Sequence, residues 1–423
     1  MRRKIAVLVA LVALPAAAQA PAAAQTQASG QVQGPVVPGI EVFLAHPPTA
    51  VVGKRIGLIT NQTGIDRQGR SDIDLLGKSS RVKLVALFAA EHGIRGVIPP
   101  GANVTDERDA ATGLPIFSIY GATNAPTPKM LEGVDALVYD MQDLGVRQYT
   151  TESTMLLAME AAKAKGIPFV VLDRPDPVTG DIVEGNILDP AYASFIGIGA
   201  VASRHGLTMG ELARYYNATR KIGAQLIVVP MRGWRRSMWL DETGLPWVKT
   251  SPNIYRFETA IHYAGTVFFE ATNVAEGRGS PMPFEEVGAP WMDSRAVVDS
   301  MTAMKLPGVR FEAVDFPIAE RAGKYPGQTV HGVRFVVTDR RSYRPIRAAL
   351  LTIDVIRRLH PTEFHWLLPD NWDGRSWGGL ERHAGTDRLR KAYENGTIRQ
   401  LLDDWDRQAA QFRKMREPYL LYH

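Results

Sequence analysis

The 423-residue sequence contains no cysteine. Disulfides, thiol catalysis and a lipid-modified cysteine anchor are therefore excluded. No apolar run reaches the roughly 20 residues that a membrane-spanning helix needs. Charge of one sign is also scarce: 49 Lys and Arg stand against 44 Asp and Glu, a formal +5. Three of those basic residues, Arg2, Arg3 and Lys4, belong to a separable leader, so the remainder carries 46 against 44, or +2. A chain so nearly balanced has no electrostatic reason to bind nucleic acid or an anionic membrane, and neither is expected as a partner.

Familiar cofactor and nucleophile signatures are missing as well. There is no phosphate-binding Walker loop, no G-x-G-x-x-G opening a helix after a strand, and no H-E-x-x-H. The nine histidines are scattered, and His92, His205 and His262 have no metal-ligand spacing. Neither a metal nor a cofactor is expected. Residues 374–378 read GRSWG and match G-x-S-x-G as a string. They follow a polar Pro-Asp-Asn-Trp-Asp stretch rather than a buried strand, so the context of a nucleophile elbow is absent.

What is present begins with a leader. The basic start, the apolar run 5–14 and the small residues 18–24 have the organisation of a secretory signal peptide over residues 1–24. Residues 25–37, rich in Ala, Gln, Gly and Pro, are expected to be a disordered tail. Export to a bacterial periplasm suits such a cysteine-free chain.

Beyond residue 38, short apolar runs alternate with helical spacing. Runs 54–60, 82–88, 115–120, 134–139, 169–172 and 225–229 read as strands, with helices over 151–165 and 208–219. This alternation predicts an α/β domain, doubly wound, over residues 38–262. Residues 263–423 read as a smaller α+β domain, with strands at 265–269, 309–316 and 332–338 and helices at 345–359 and 398–416. Ligands of open α/β sheets sit beyond the carboxyl ends of the strands. Four of those ends carry Asn61, Glu91-His92, Asp140 with Asp143, and Asp173 with Asp176.

Carboxylates with Arg and Trp nearby suit glycoside hydrolysis, which needs an acid for the leaving oxygen and a second group for water or the anomeric carbon. Glu91, beside Ala89, Ala90 and Ile94, is the candidate acid, with Asp140 or Asp143 as the second carboxylate. N-capping or loop bracing is the competing role for both aspartates. Glu270 and Glu276 lie near Arg278, where a bracing salt bridge is the competing reading. Trp234, Trp239, Trp247 and Trp291 are candidates for stacking on sugars or for packing.

The motifs taken together resemble one family. GLITNQTG (57–64), EHGIRG (91–96), DMQDLGVRQYT (140–150), LDRPDPVTG (172–180) and RHGLTMGEL (204–212) carry the resemblance, with FFEATNVAEGRG (268–279), PFE (283–285), GAPW (288–291) and YLLY (419–422). The chain is similar over roughly residues 38–423 to the bacterial exo-β-N-acetylmuramidases of peptidoglycan recycling. The resemblance implies a Rossmann-like N-terminal domain, a smaller C-terminal domain and an active site in the cleft between them. It assigns the catalytic glutamate to Glu91 and implies release of N-acetylmuramic acid from the non-reducing end of peptidoglycan-derived glycans. Asn61, His92, Arg147, Arg204, Glu270, Asn273, Glu276 and Arg278 are the expected substrate-binding residues. The three arginines are candidates for the muramic acid carboxylate. One departure is Thr151-Glu152, which puts an extra carboxylate near the site. The alternative reading is a periplasmic protein that binds muropeptide or sugar without cleaving it.

Overall fold

The apolar runs read from the sequence form one parallel sheet. The computed structural model describes residues 34–99, 101–367 and 378–423. Its strands are β1 (Arg55–Thr60), β2 (Lys83–Ala89), the two-residue β3 (Glu107–Arg108), β4 (Pro115–Ser118), β5 (Ala136–Asp140) and β6 (Phe169–Leu172). They continue with β7 (Glu184–Ile187), β8 (Ala202–Arg204) and β9 (Leu226–Val229). The large sheet runs β3-β4-β2-β1-β5-β6-β9, parallel except where β3 meets β4. Every residue of β5 and β6 is buried, as expected for strands covered on both faces.

Counted without β3, the parallel strands follow the 3-2-1-4-5-6 order of a Rossmann-like sheet. The chain steps outward from β1 to β2 and β4, then crosses back to β5 on the other flank of β1. The switch point therefore lies between Thr60 and Asp140, paired neighbours at the ends of β1 and β5.

Helices α1 (Gly39–Ala45), α2 (Asp72–Gly77), α3 (Thr151–Lys165) and α4 (Met209–Thr219) cover this sheet. Thr208 and Glu211 form the capping box of α4. Gly166, at φ 75°, ends α3 in the left-handed conformation that glycine adopts without strain.

Helix α5 (Phe257–Thr266) leads into the second part, where β10 (Glu286–Ala289), β11 (Val309–Pro317) and β12 (Thr329–Val337) form an antiparallel sheet ordered β10-β12-β11. Around it lie α6 (Ser294–Ala303), α7 (Pro345–Leu359), α8 (Gly379–Ala384), α9 (Arg388–Glu394) and α10 (Ile398–Arg416). Residue 262, the divide in the sequence reading, lies inside α5. The apolar core of this part takes in Leu144, Val146 and Trp239 from before α5.

Two expectations need correction. The run 265–269 is not a strand but the end of α5 and a 3-10 turn, Val267–Ala271. A short apolar run buried all round has the same pattern in either state. Residues 36 and 37 are not loose tail: Val36 is buried and its N–H donates to Thr243 O at 2.9 Å, and the Val37 N–H donates to Arg232 O at 2.9 Å. The signal peptide, residues 25–33 and most of the GRSWG string lie outside the described residues.

Candidate active site

The loops leaving β1, β2 and β5 meet at the switch point. They place Asn61, Ala90, Glu91, His92 and residues 148–151 around a cleft with about 590 Å³ of open space. Thr250, Ser251 and Ile254 line it from the loop before α5, Tyr263 from α5 and Arg278 and Phe284 from the loop that follows.

Glu91 is partly buried, and three donors converge on its carboxylate. The Thr150 hydroxyl donates to Oε2 at 2.7 Å. The Tyr120 hydroxyl and the Gly101 N–H donate to Oε1 at 3.0 and 3.1 Å. Both hydroxyls can rotate and accept instead, so Glu91 can gain or lose a proton while keeping its place. Among the described lining residues, Glu91 is the sole carboxylate.

His92 follows at φ 70°, where residues other than glycine are strained by about 1–3 kcal/mol. Its Nδ1 lies 2.8 Å from Ile98 O. Burial is the largest influence on the ring and holds its pKa below the ordinary histidine value, outweighing nearby Glu91.

Arg278 lines the same cleft, with its guanidinium over the Phe284 ring at 5.1 Å. It is ion-paired with Glu270, and its Nε lies 3.1 Å from Glu276. Glu276 also accepts from Lys324 Nζ at 2.8 Å, and Glu270 lies 3.2 Å from His383 Nε2. Burial acts to raise the Glu270 carboxyl, but Arg278 and His383 outweigh it and hold the pKa well below the usual range. The bracing salt bridge anticipated from the sequence is present, and it fixes the guanidinium on the cleft. Nη1 of Arg278 makes no hydrogen bond among the described residues.

Other expected site residues are withdrawn from the cleft. Asp140 is fully buried and bidentate with Arg174, beside Asp72. Asp143 accepts from the Thr151 hydroxyl and, at 2.6 Å, from the Gly145 N–H. Burial first, then Glu152, pushes Asp143 up to about 7. Arg147 is 1% exposed and donates to the carbonyls of Asn186, Val201 and Ala384. Arg204, equally buried, donates to Val178 O. Neither arginine reaches a ligand in the cleft. Asn273 braces the chain at Glu363 and His365.

Glu152 also points inward, 2.9 Å from His205 Nε2 and accepting from Tyr216. Asp143, Glu152 and His205 are close enough together to resemble a metal site. However, Leu207 N–H donates to His205 Nδ1 at 3.0 Å, so Nε2 carries the proton and has no lone pair for a metal. Asp173 does not pair with the Arg174 side chain; it accepts from Thr208, Gly210 and Tyr422. The tryptophans pack: Trp234 against Tyr422, Trp247 against Phe257, Trp291 against His360, and Trp239 buried outright.

Sequence reasoning missed Tyr120 and Thr150, the hydroxyl partners of Glu91. Thr150 closes a motif already singled out, but nothing in its spacing showed which way it faces.

The family models described as "Exo-beta-N-acetylmuramidase NamZ, N-terminal" and "Exo-beta-N-acetylmuramidase NamZ, C-terminal" match residues 56–258 and 261–422. The chain is 42% identical over 385 residues to the peptidoglycan beta-N-acetylmuramidase NamZ of Bacillus subtilis, covering 91% of each. Two crystal structures of DUF1343 family proteins from Bacteroides fragilis are also similar. One has a TM-score of 0.83 at 33% identity, covering 92% of this chain and all of that one. The other has a TM-score of 0.70 at 27% identity, covering 92% and 99%.

Proposed function

The chain belongs to the exo-beta-N-acetylmuramidase NamZ family, and from that premise we propose how its cleft works on peptidoglycan fragments. It is a glycoside hydrolase that releases terminal N-acetylmuramic acid from the non-reducing end. Glu91 is the general acid that protonates the glycosidic oxygen. The observation that carries this role is its position: the sole carboxylate of the described lining, at the end of β2, held by three donors.

Arg278 binds the lactyl carboxylate that distinguishes muramic acid from glucosamine. A guanidinium pre-set by Glu270 and Glu276, with no Nη1 hydrogen bond among the described residues, offers a fixed cation in a partly dry wall. Asn61, which also lines the cleft, contacts the sugar. The leader directs the protein to the periplasm, where such fragments form. Finding the intact Met1 form as the abundant cytosolic species would count against export.

Incubation with a chromogenic N-acetylmuramic acid β-glycoside tests the activity. Release of the chromophore by the wild type supports a hydrolase. Saturable binding with no release of the chromophore would instead fit a muropeptide-binding protein.

A further inference from the structure

Direct displacement at an anomeric carbon needs a second group to take the proton of the attacking water. The aspartates that the sequence offered for this task are engaged elsewhere, Asp140 by Arg174 and Asp143 by Thr151 and Gly145. Among the described lining residues, the proton acceptor left beside Glu91 is His92.

The geometry around His92 is that of an oriented base. The Ile98 carbonyl can only accept, so the nitrogen 2.8 Å from it, Nδ1, carries the proton. In a neutral ring this leaves Nε2 with its lone pair. Ile98 also returns its own N–H to His92 O at 3.2 Å. One residue thus clamps both the backbone and the ring of His92, the role a third group has in orienting a catalytic base. The left-handed backbone at His92 and again at Gly93 turns the chain so sharply that consecutive residues, Glu91 and His92, line the same cleft. Strain of this kind persists where the surrounding structure enforces it, and it clusters at functional sites. Burial holds the ring's pKa below the ordinary histidine value, which favours the neutral form that a proton acceptor needs.

We propose that His92, through Nε2, is the general base of a single displacement. This rests on the muramidase reading above. Water attacks the anomeric carbon as its proton passes to Nε2, forming the new C–O bond on the face opposite the leaving group. The glycosidic C–O bond breaks as Glu91 gives its proton to the departing oxygen. The imidazolium then returns its proton, through solvent, to the Glu91 carboxylate. The sugar leaves with inverted, α, configuration.

His92→Asn is the discriminating variant. Asparagine tolerates a left-handed backbone, and its amide nitrogen can still donate to Ile98 O, but it is no base. The substrate is the 4-nitrophenyl β-glycoside of N-acetylmuramic acid, whose leaving group needs little acid assistance, so the assay isolates the base. Expected are a kcat lower by about 10²–10⁴-fold, a KM within a few-fold and an unchanged melting temperature. Sodium azide should restore turnover and yield the α-glycosyl azide. In the wild type, proton NMR should show the α-anomer of free N-acetylmuramic acid first. A β-anomer formed first, or a variant within a few-fold of wild-type kcat, would overturn the assignment of His92 alone. A wild type that leaves the glycoside intact would remove the muramidase reading together with it.

Discussion

The Thr150 hydroxyl lies 2.7 Å from Glu91 Oε2, although the two residues are 59 positions apart. Glu91 leaves the end of β2, and Thr150 immediately precedes α3. Their contact depends on β5 having crossed to the far side of β1. Thr150→Val keeps the shape and removes the hydrogen bond. A hydrogen bond of this kind is worth about 0.5–1.5 kcal/mol, or roughly 2–12-fold in rate if it is made in the transition state. Turnover of Thr150→Val should fall by that factor at little cost in KM. Unchanged kcat would show that Thr150 does not position the carboxylate.

Glu91→Gln keeps the volume and most of the polar contacts but has no transferable proton. Its activity on a natural disaccharide, whose leaving group needs protonation, should fall by about 10²–10⁴-fold. Its melting temperature should stay near that of the wild type. A loss of stability with activity kept within a few-fold would mark Glu91 as a loop brace.

Arg278 should decide between sugars rather than merely hold the wall. Arg278→Lys preserves the charge but loses the planar fork. A charge-assisted hydrogen bond contributes about 1.5–3 kcal/mol, so inhibition by free N-acetylmuramic acid should weaken by roughly 10–150-fold. Inhibition by N-acetylglucosamine should change little. Equal losses for both sugars would reject the carboxylate role.

Asp173 is buried beneath the returning C-terminus, where Tyr422 donates to it at 2.6 Å. Burial pushes its carboxyl up to about 7, from 3.8 in an unfolded chain. Between those values the folded state holds a proton that the unfolded chain has released. Its contribution to stability is therefore complete below about pH 4 and is lost as pH rises through 7. At about 1.4 kcal/mol per pKa unit, the loss amounts to a few kcal/mol. Asp173→Asn lacks this titration, so denaturant unfolding should show the variant gaining on the wild type between pH 5 and pH 8. A stability gap independent of pH would contradict the assignment.

Sequence alone determined the six parallel strands of the large sheet and helices 151–165, 345–359 and 398–416, which the structure reproduces as α3, α7 and α10. It could do so because apolar periodicity records which faces are buried, a local property of each segment. It also singled out Glu91, because a carboxylate at the end of a buried strand stands out against its apolar neighbours. The tertiary structure decided what each charge does. Asp140 and Glu91 both follow apolar strands, yet Arg174 claims Asp140 from 34 residues away while Glu91 keeps its place on the cleft. Arg147, Arg204 and Arg278 all stand in shared motifs, and only Arg278 reaches the cleft. Whether a charged side chain meets a backbone carbonyl, a counter-ion or a substrate depends on partners brought together by chain crossovers. Those distances are set by folding, and no local pattern of residues encodes them.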